Sequence, residues 1–310
     1  MSLAAVPGTG PNTTPLPVLR LRSREQAWAE LPQDRTLVMG VLNVTADSFS
    51  DGGRYLSTED AIAHGLELMK AGADIIDVGG ESTRPNADFV PEDVEAQRVV
   101  PVVKALVAAG AVVSVDTTHV STAEACIAVG AHVINDVAGL THEPGMPELI
   151  ARTGVPYVLM HRRGDQQTMG SMAHYDDTVR EVTEELLSLR DTYVAAGVDP
   201  EQIILDPGVG FAKNAPHNWE LLAATEHFVG LGHKVLIGTS RKRFLGHLLE
   251  DNGLPHEPTD RDFATAATSA LSAQAGAWCV RVHDVVSSRD AVLVASAWRG
   301  GRPAAGGSRA

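Results

Sequence analysis

Apolar runs of strand length recur along this chain, and each closes on a polar or charged residue. Residues 37–42 close on Asn43, 75–80 on Glu81 to Arg84, 112–115 on Asp116, and 133–134 on Asn135. Residues 157–160 close on His161, 203–205 on Asp206, 235–237 on Ser240, Arg241 and Lys242, and 278–282 on His283. Between these runs the apolar residues recur at i, i+3 and i+4, which is the helical period. The predicted helices cover 58–71, 91–109, 122–129, 146–153, 177–196, 217–228, 262–276 and 288–298. Capping residues agree: Ser57 precedes Glu59-Asp60, and Gly72, Gly110, Gly130, Gly154 and Gly197 follow helix ends.

Several runs are nearly continuous in aliphatic residues, as strands buried on both faces of a parallel sheet must be. Strand and helix alternate without a linker-like break, so one α/β fold is expected: a single (β/α)8 TIM barrel, whose strand C-termini converge on one mouth. A doubly wound open sheet would need a glycine-rich dinucleotide turn after its first strand, and Gly40-Val-Leu-Asn-Val is not one. Residues 1–20 and 300–310, rich in Gly, Pro, Thr and Ala, read as flexible tails around a barrel domain at 35–299.

The 310 residues are 44% hydrophobic but only 5% aromatic, which suits a barrel packed with branched side chains. The formal net charge of −14 argues against nucleic-acid binding through a basic face. Any anionic substrate must be held by a few local cations. Cys126 and Cys279 stand in apolar surroundings without metal-ligand spacing, which reads as buried free thiols in a reducing compartment. No signal peptide and no run of membrane-spanning length is seen, so a cytoplasmic protein is expected.

Each strand end then carries its own chemistry. The first loop holds Asp47, Ser48, Ser50 and Asp51 beside Gly52-Gly53, the composition of a mobile lid. Asn43 offers a hard carbonyl oxygen suited to Mg²⁺. In the second loop Arg84, held extended before Pro85, projects its guanidinium in a fixed direction. Asp116, Asn135 and Asp206 can converge as an acceptor-rich wall for a planar heterocycle with ring N–H and amino donors, with Phe211 covering an aromatic ring. A triplet such as Arg241-Lys242-Arg243 is ordinarily a solvated surface run. Here it follows the seventh strand, where barrels commonly bind phosphate. Arg281 and His283 lie two apart on one strand and so face one side, suited to a phosphate or diphosphate. His161 and His217 read as structural or rim residues, and no nucleophilic triad or redox fingerprint is present.

These segments resemble the dihydropteroate synthase family of the folate pathway. The matching stretches are Gly40-Val-Leu-Asn-Val-Thr, Asp47-Ser-Phe-Ser-Asp-Gly-Gly, Asp77-Val-Gly-Gly-Glu-Ser-Thr-Arg-Pro, Ser114-Val-Asp-Thr and Ile134-Asn-Asp. They continue with Asp206-Pro-Gly-Val-Gly-Phe-Ala-Lys, Gly238-Thr-Ser-Arg-Lys-Arg-Phe and Arg281-Val-His-Asp. The resemblance implies a Mg²⁺-assisted transfer in which 6-hydroxymethyl-7,8-dihydropterin diphosphate and p-aminobenzoate give 7,8-dihydropteroate and diphosphate. It implies pterin binding by Asp116, Asn135, Asp206 and Lys242, and diphosphate binding by Asn43, Arg281 and His283, with Asn43 as the metal ligand. Thr83, Arg84, Pro85, Phe211 and Ser240 would frame p-aminobenzoate, with Asp51, Arg84 and Lys242 as the catalytic set. It further implies competition by sulfonamides and a homodimer. On this assignment Arg281→Ala should impair binding of the diphosphate substrate and largely spare binding of a simple pterin. The loop Met160-His161-Arg162-Arg163-Gly164 is more charged than is usual in the family.

Two other functions fit parts of the pattern. A pterin-binding methyltransferase domain would share the acceptor wall but would not need the diphosphate grip of Ser240-Arg-Lys and Arg281-x-His283. A non-catalytic pterin-binding paralogue would be expected to have degraded first and second loops, and both are intact in sequence.

Overall fold

The structure, a computed structural model, describes residues 23–45, 57–81, 89–250 and 256–300. After a short helix α1 (Arg24–Ala29), strand and helix alternate. The order is β1 (Leu37–Asn43), α2 (Thr58–Ala71), β2 (Ile75–Gly79), α3 (Glu92–Ala108), β3 (Val113–Asp116), α4 (Val120–Ala128), β4 (Val133–Asp136) and α5 (Met146–Thr153). It continues β5 (Tyr157–Met160), α6 (Thr178–Ala195), β6 (Ile203–Asp206), α7 (Ala215–Ala223), α8 (Thr225–Val229), β7 (Lys234–Ile237), α9 (Arg243–Leu248), α10 (Asp262–Gln274), β8 (Cys279–Val282) and α11 (Val285–Gly300). The strands pair in sequence order and β8 pairs back to β1, closing the expected parallel barrel.

Side-chain alternation explains how the barrel makes a site. Leu37, Met39, Ile75, Val133, Val158, Ile204, Leu236 and Cys279 pack together as an apolar plug inside the barrel. Burying each large aliphatic side chain is worth roughly 1.5–3 kcal/mol. Successive side chains on a strand point to opposite faces, so residues two further on also face inward. That step leads from Ile75 to Asp77, from Val133 to Asn135, from Ile204 to Asp206 and from Cys279 to Arg281. The intervening residues Ile76, Ile134, Leu205 and Val280 pack outward with the helices. Leu31 and Trp28, whose ring lies 5.6 Å from that of Trp278, cover the opposite end of the plug.

The expected caps are in place: Ser57 accepts from the Asp60 N–H, and Gly72 ends α2 at φ +98°. The helix predicted at 217–228 is two helices, because Thr225 turns its hydroxyl onto the Leu222 carbonyl where the chain bends. Its start lies two residues earlier, where Asn214 accepts from the His217 N–H. Helices α1 and α9 were not expected; both are six residues long, too short for a clear periodic signal.

Candidate active site

Arg281 organises the base of the mouth. Its Nε donates to Asp77 Oδ2 at 2.6 Å and its Nη2 to Asp116 Oδ2 at 2.5 Å. Asn135 donates its amide to the same Asp77 oxygen at 3.1 Å. One guanidinium thus joins strands β2, β3 and β8, and the amide adds β4. Burial pushes the Asp116 carboxyl up to about 7, against the pull of Arg281 and with the push of Asp77. Arg281 itself is held above its ordinary value by the two carboxylates it bridges.

Asp206, at the end of β6, is buried and its carboxyl is raised by that burial, with Lys242 opposing the shift. It accepts the Gly208 N–H at 2.7 Å, opening the turn that carries Phe211. Lys242 donates to the Val209 carbonyl and sets its ammonium 4.8 Å from the centre of the Phe211 ring. Burial pushes the Lys242 amine down to about 8, with Asp206 opposing. Of the basic triplet, only Lys242 joins this group. Arg241 forms a two-pronged pair with Asp262 at 2.7 Å for each bond, and Arg243 is exposed.

Ser240 sits against His283. Its hydroxyl accepts the His283 backbone N–H at 3.0 Å and lies 2.9 Å from Nδ1. The two contacts hold the imidazole in a fixed orientation against the hydroxyl. The structure therefore joins Ser240, expected beside p-aminobenzoate, to the residue expected beside diphosphate. Asn43 closes β1 with an exposed side chain that makes no hydrogen bond to a described residue, and its register partner is Gly79. A single amide oxygen open to solvent fits a Mg²⁺ that keeps most of its waters. The first-loop residues Asp47, Ser48, Ser50 and Asp51, and the second-loop residues Thr83, Arg84 and Pro85, lie outside the described residues.

A separate group brings ligand-type atoms of Glu81, Glu95 and His119 within 4.8 Å of one another. Its central oxygen is already used: Glu95 Oε2 accepts from Thr117 at 2.7 Å and lies 2.9 Å from His119 Nδ1. The bond to Glu95 also raises the His119 pKa, which works against the neutral imidazole a metal needs.

Sequence reasoning passed over Asp77 as a site residue, although an aspartate amid Ile75, Ile76 and Val78 is itself a signal. It also left the fifth strand end unassigned. There His161 is fully buried between Glu185 and Lys213, each 2.9 Å from one ring nitrogen. Arg163 forks onto Glu185 and Glu181 and covers the Tyr175 ring at 4.1 Å.

A closed parallel barrel whose mouth sets buried carboxylates against half-buried cations is the framework of a barrel enzyme acting on a polar, charged substrate. Comparison with known proteins makes the class specific. Residues 39–283 match the pterin binding enzyme family. A dihydropteroate synthase of Mycobacterium leprae is 51% identical over 263 residues, covering 84% of this chain and 93% of that one. A dihydropteroate synthase of Yersinia pestis, solved with a sulfonamide drug, superposes with a TM-score of 0.81 at 40% identity, covering 87% of this chain and 96% of that one. One from Xanthomonas albilineans, solved with 4-aminobenzoic acid, gives 0.78 at 43% identity, covering 86% and 93%. The chain belongs to the pterin binding enzymes and, within them, to the dihydropteroate synthases, which are transferases.

Proposed function

We propose that the mouth couples 6-hydroxymethyl-7,8-dihydropterin diphosphate to p-aminobenzoate. The C–O bond from the pterin methylene to diphosphate breaks, the arylamine nitrogen bonds to that carbon, and the amine gives up a proton. The observation that carries this reading is the Arg281 bridge between Asp77 and Asp116 at the foot of the acceptor wall. Asp116, Asn135 and Asp206 accept from the pterin's ring N–H and amino groups, and Lys242 flanks them. Arg281 and His283 face the leaving diphosphate, with Ser240 holding the His283 ring in place. Bound at Asn43, Mg²⁺ would supply positive charge for the leaving group. Phe211 forms one wall of the arylamine pocket, which Thr83, Arg84 and Pro85 complete, with Asp51 in the lid. Sulfonamides compete there, in keeping with the Yersinia pestis complex.

The partner of the chain is a second copy. Phe263 and Leu271 of α10 are 86% and 69% exposed, and Val294 and Trp298 of α11 are 64% and 82% exposed. The two helices pack side by side, so these large side chains lie on adjoining helices and, among the described residues, stay open to solvent on a chain of net charge −14. No described helix is long and apolar enough to cross a membrane. The buried free thiols Cys126 and Cys279 suit a reducing cytoplasm.

The test is release of diphosphate and formation of dihydropteroate by the purified chain with both substrates and Mg²⁺. Turnover that needs all three is expected; folded protein that binds pterin but never turns over would sink the catalytic reading.

A further inference from the structure

We propose that His161 and Lys213 are positioning residues of the arylamine pocket, a locked pair that fixes the turn carrying Phe211. This rests on the reading of Phe211 as a wall of that pocket.

Both side chains are buried. The Lys213 ammonium donates to His161 Nδ1 at 2.9 Å, to the Phe211 carbonyl at 2.9 Å and to the His161 carbonyl at 3.4 Å. An ammonium has three donors and no acceptor. Burial lowers the Lys213 amine to about 7, with Asp206 opposing, so below that pH the ammonium prevails; His161 Nδ1 is then bare and its proton sits on Nε2, which donates to Glu185 Oε2 at 2.9 Å. The order Lys213 to His161 to Glu185 has one hydrogen-bond direction and one tautomer. Burial together with the Lys213 charge pushes His161 down to about 4, which keeps the ring neutral.

The turn needs such a lock. Gly208 and Gly210 have φ of +70° and +85°, and Ala212, with a side chain, has φ +49°. That region costs a non-glycine residue about 1 kcal/mol or more, so the surroundings must hold it. A Cβ on Gly208 would lie 1.8 Å from the His161 carbonyl oxygen. The His161 N–H extends the ladder onto the Asp206 carbonyl at 2.9 Å. Three carbonyls of the turn are each held from a different side: Val209 by Lys242, Phe211 by Lys213, and Ala212 by the Tyr175 hydroxyl at 3.1 Å. Tyr175 is in turn covered by Arg163, which also holds Glu185. The charged fifth strand end thus braces the sixth.

The test uses the full chain carrying Lys213→Met, which keeps the stem and removes the donors. The KM for p-aminobenzoate should rise about tenfold or more, while the KM for the pterin diphosphate moves by less than about threefold. His161→Gln, which keeps a donor and an acceptor, should retain more arylamine affinity than His161→Leu. Equal rises in both KM values, or a lower melting temperature with unchanged kinetics, overturns the proposal. Nitrogen-15 NMR of the imidazole reads the pair without turnover. A neutral Nε2–H tautomer persisting to about pH 5 is expected; an Nδ1–H tautomer, or titration near the ordinary value of about 6.5, overturns it. If the unaltered chain turns over nothing, the reaction reading fails and the NMR result still judges the pair.

Discussion

At the scale of single residues, Arg281 changes what a substitution should do. The sequence pattern assigns it to diphosphate, separate from the pterin wall, which predicts that Arg281→Ala spares simple pterin binding. The structure ties it to Asp77 and Asp116. Removing it strands two buried carboxylates, at a cost of about 3–5 kcal/mol for a broken buried pair. Asp116, already raised to about 7, loses the charge that opposes the shift and rises further. Arg281→Ala should therefore weaken pterin and pterin diphosphate together and lower the melting temperature by several degrees. Calorimetric titration with a non-phosphorylated pterin checks it, and unchanged pterin affinity would count against the bridge. Arg162 is the opposite case. It is buried, yet its Nε and Nη1 have no hydrogen-bond partner among the described residues. Burial lowers its pKa, with Asp136 the foremost opposing charge. Replacing an unsatisfied buried donor with an apolar group of similar length is neutral or favourable. Arg162→Met should leave the melting temperature equal or higher, and a clear fall would show that the guanidinium stabilises the fold.

At the scale of elements, the strands were legible because β-branched and aliphatic runs in this order have few alternative folds. Their polar ends were legible because the barrel sends alternate residues inward. The bond partners were not. Nothing in the linear pattern says that Arg281 reaches Asp77, 204 positions away, or that Lys213 reaches back to His161. Such pairings depend on barrel closure and on one turn at φ values that only the folded chain enforces. His132 shows what an element boundary can hide. It precedes β4, and its Nδ1 accepts the Val113 N–H at 3.1 Å, extending the β3–β4 pairing by a side chain. That role requires a bare nitrogen, and burial, aided by the nearby Arg24, pushes the pKa down to about 4. The unfolded ring takes a proton near pH 6.5, so the unfolded state binds more protons between about 6.5 and 4. Stability from His132, and likewise from His161, is therefore full above pH 6.5 and lost as pH falls toward 4. Thermal melts at pH 7.5 and pH 5 should show a drop that shrinks in His132→Asn, which keeps an acceptor but cannot titrate there. An equal drop in both proteins would remove His132 from the account.

At the scale of the molecule, the catalytic mouth and the apolar face of α10 and α11 lie on different parts of the barrel, and the chain's charge bears on them differently. A net charge of −14 repels a second copy at long range, so association must come from area that excludes water rather than from charge pairing. The face supplies this through large residues: Phe263 and Leu271 lie eight residues apart on α10, and Val286, Val294 and Trp298 recur at helical spacing on α11. A C₂ pairing would bring the same face of each copy together, so one substitution acts twice at the interface. Trp298→Arg with Phe263→Asp removes two large apolar contacts per chain and places charge where water was excluded. On the proposed pairing, light scattering should give about twice the chain mass of 32.7 kDa for the unaltered protein and the mass of one chain for the variant. None of these side chains is among the described residues of the mouth, so turnover per chain should survive the dissociation. A variant that remains a dimer would place the contact elsewhere on the barrel, and a monomer that loses turnover would mean that the mouth depends on the neighbouring copy.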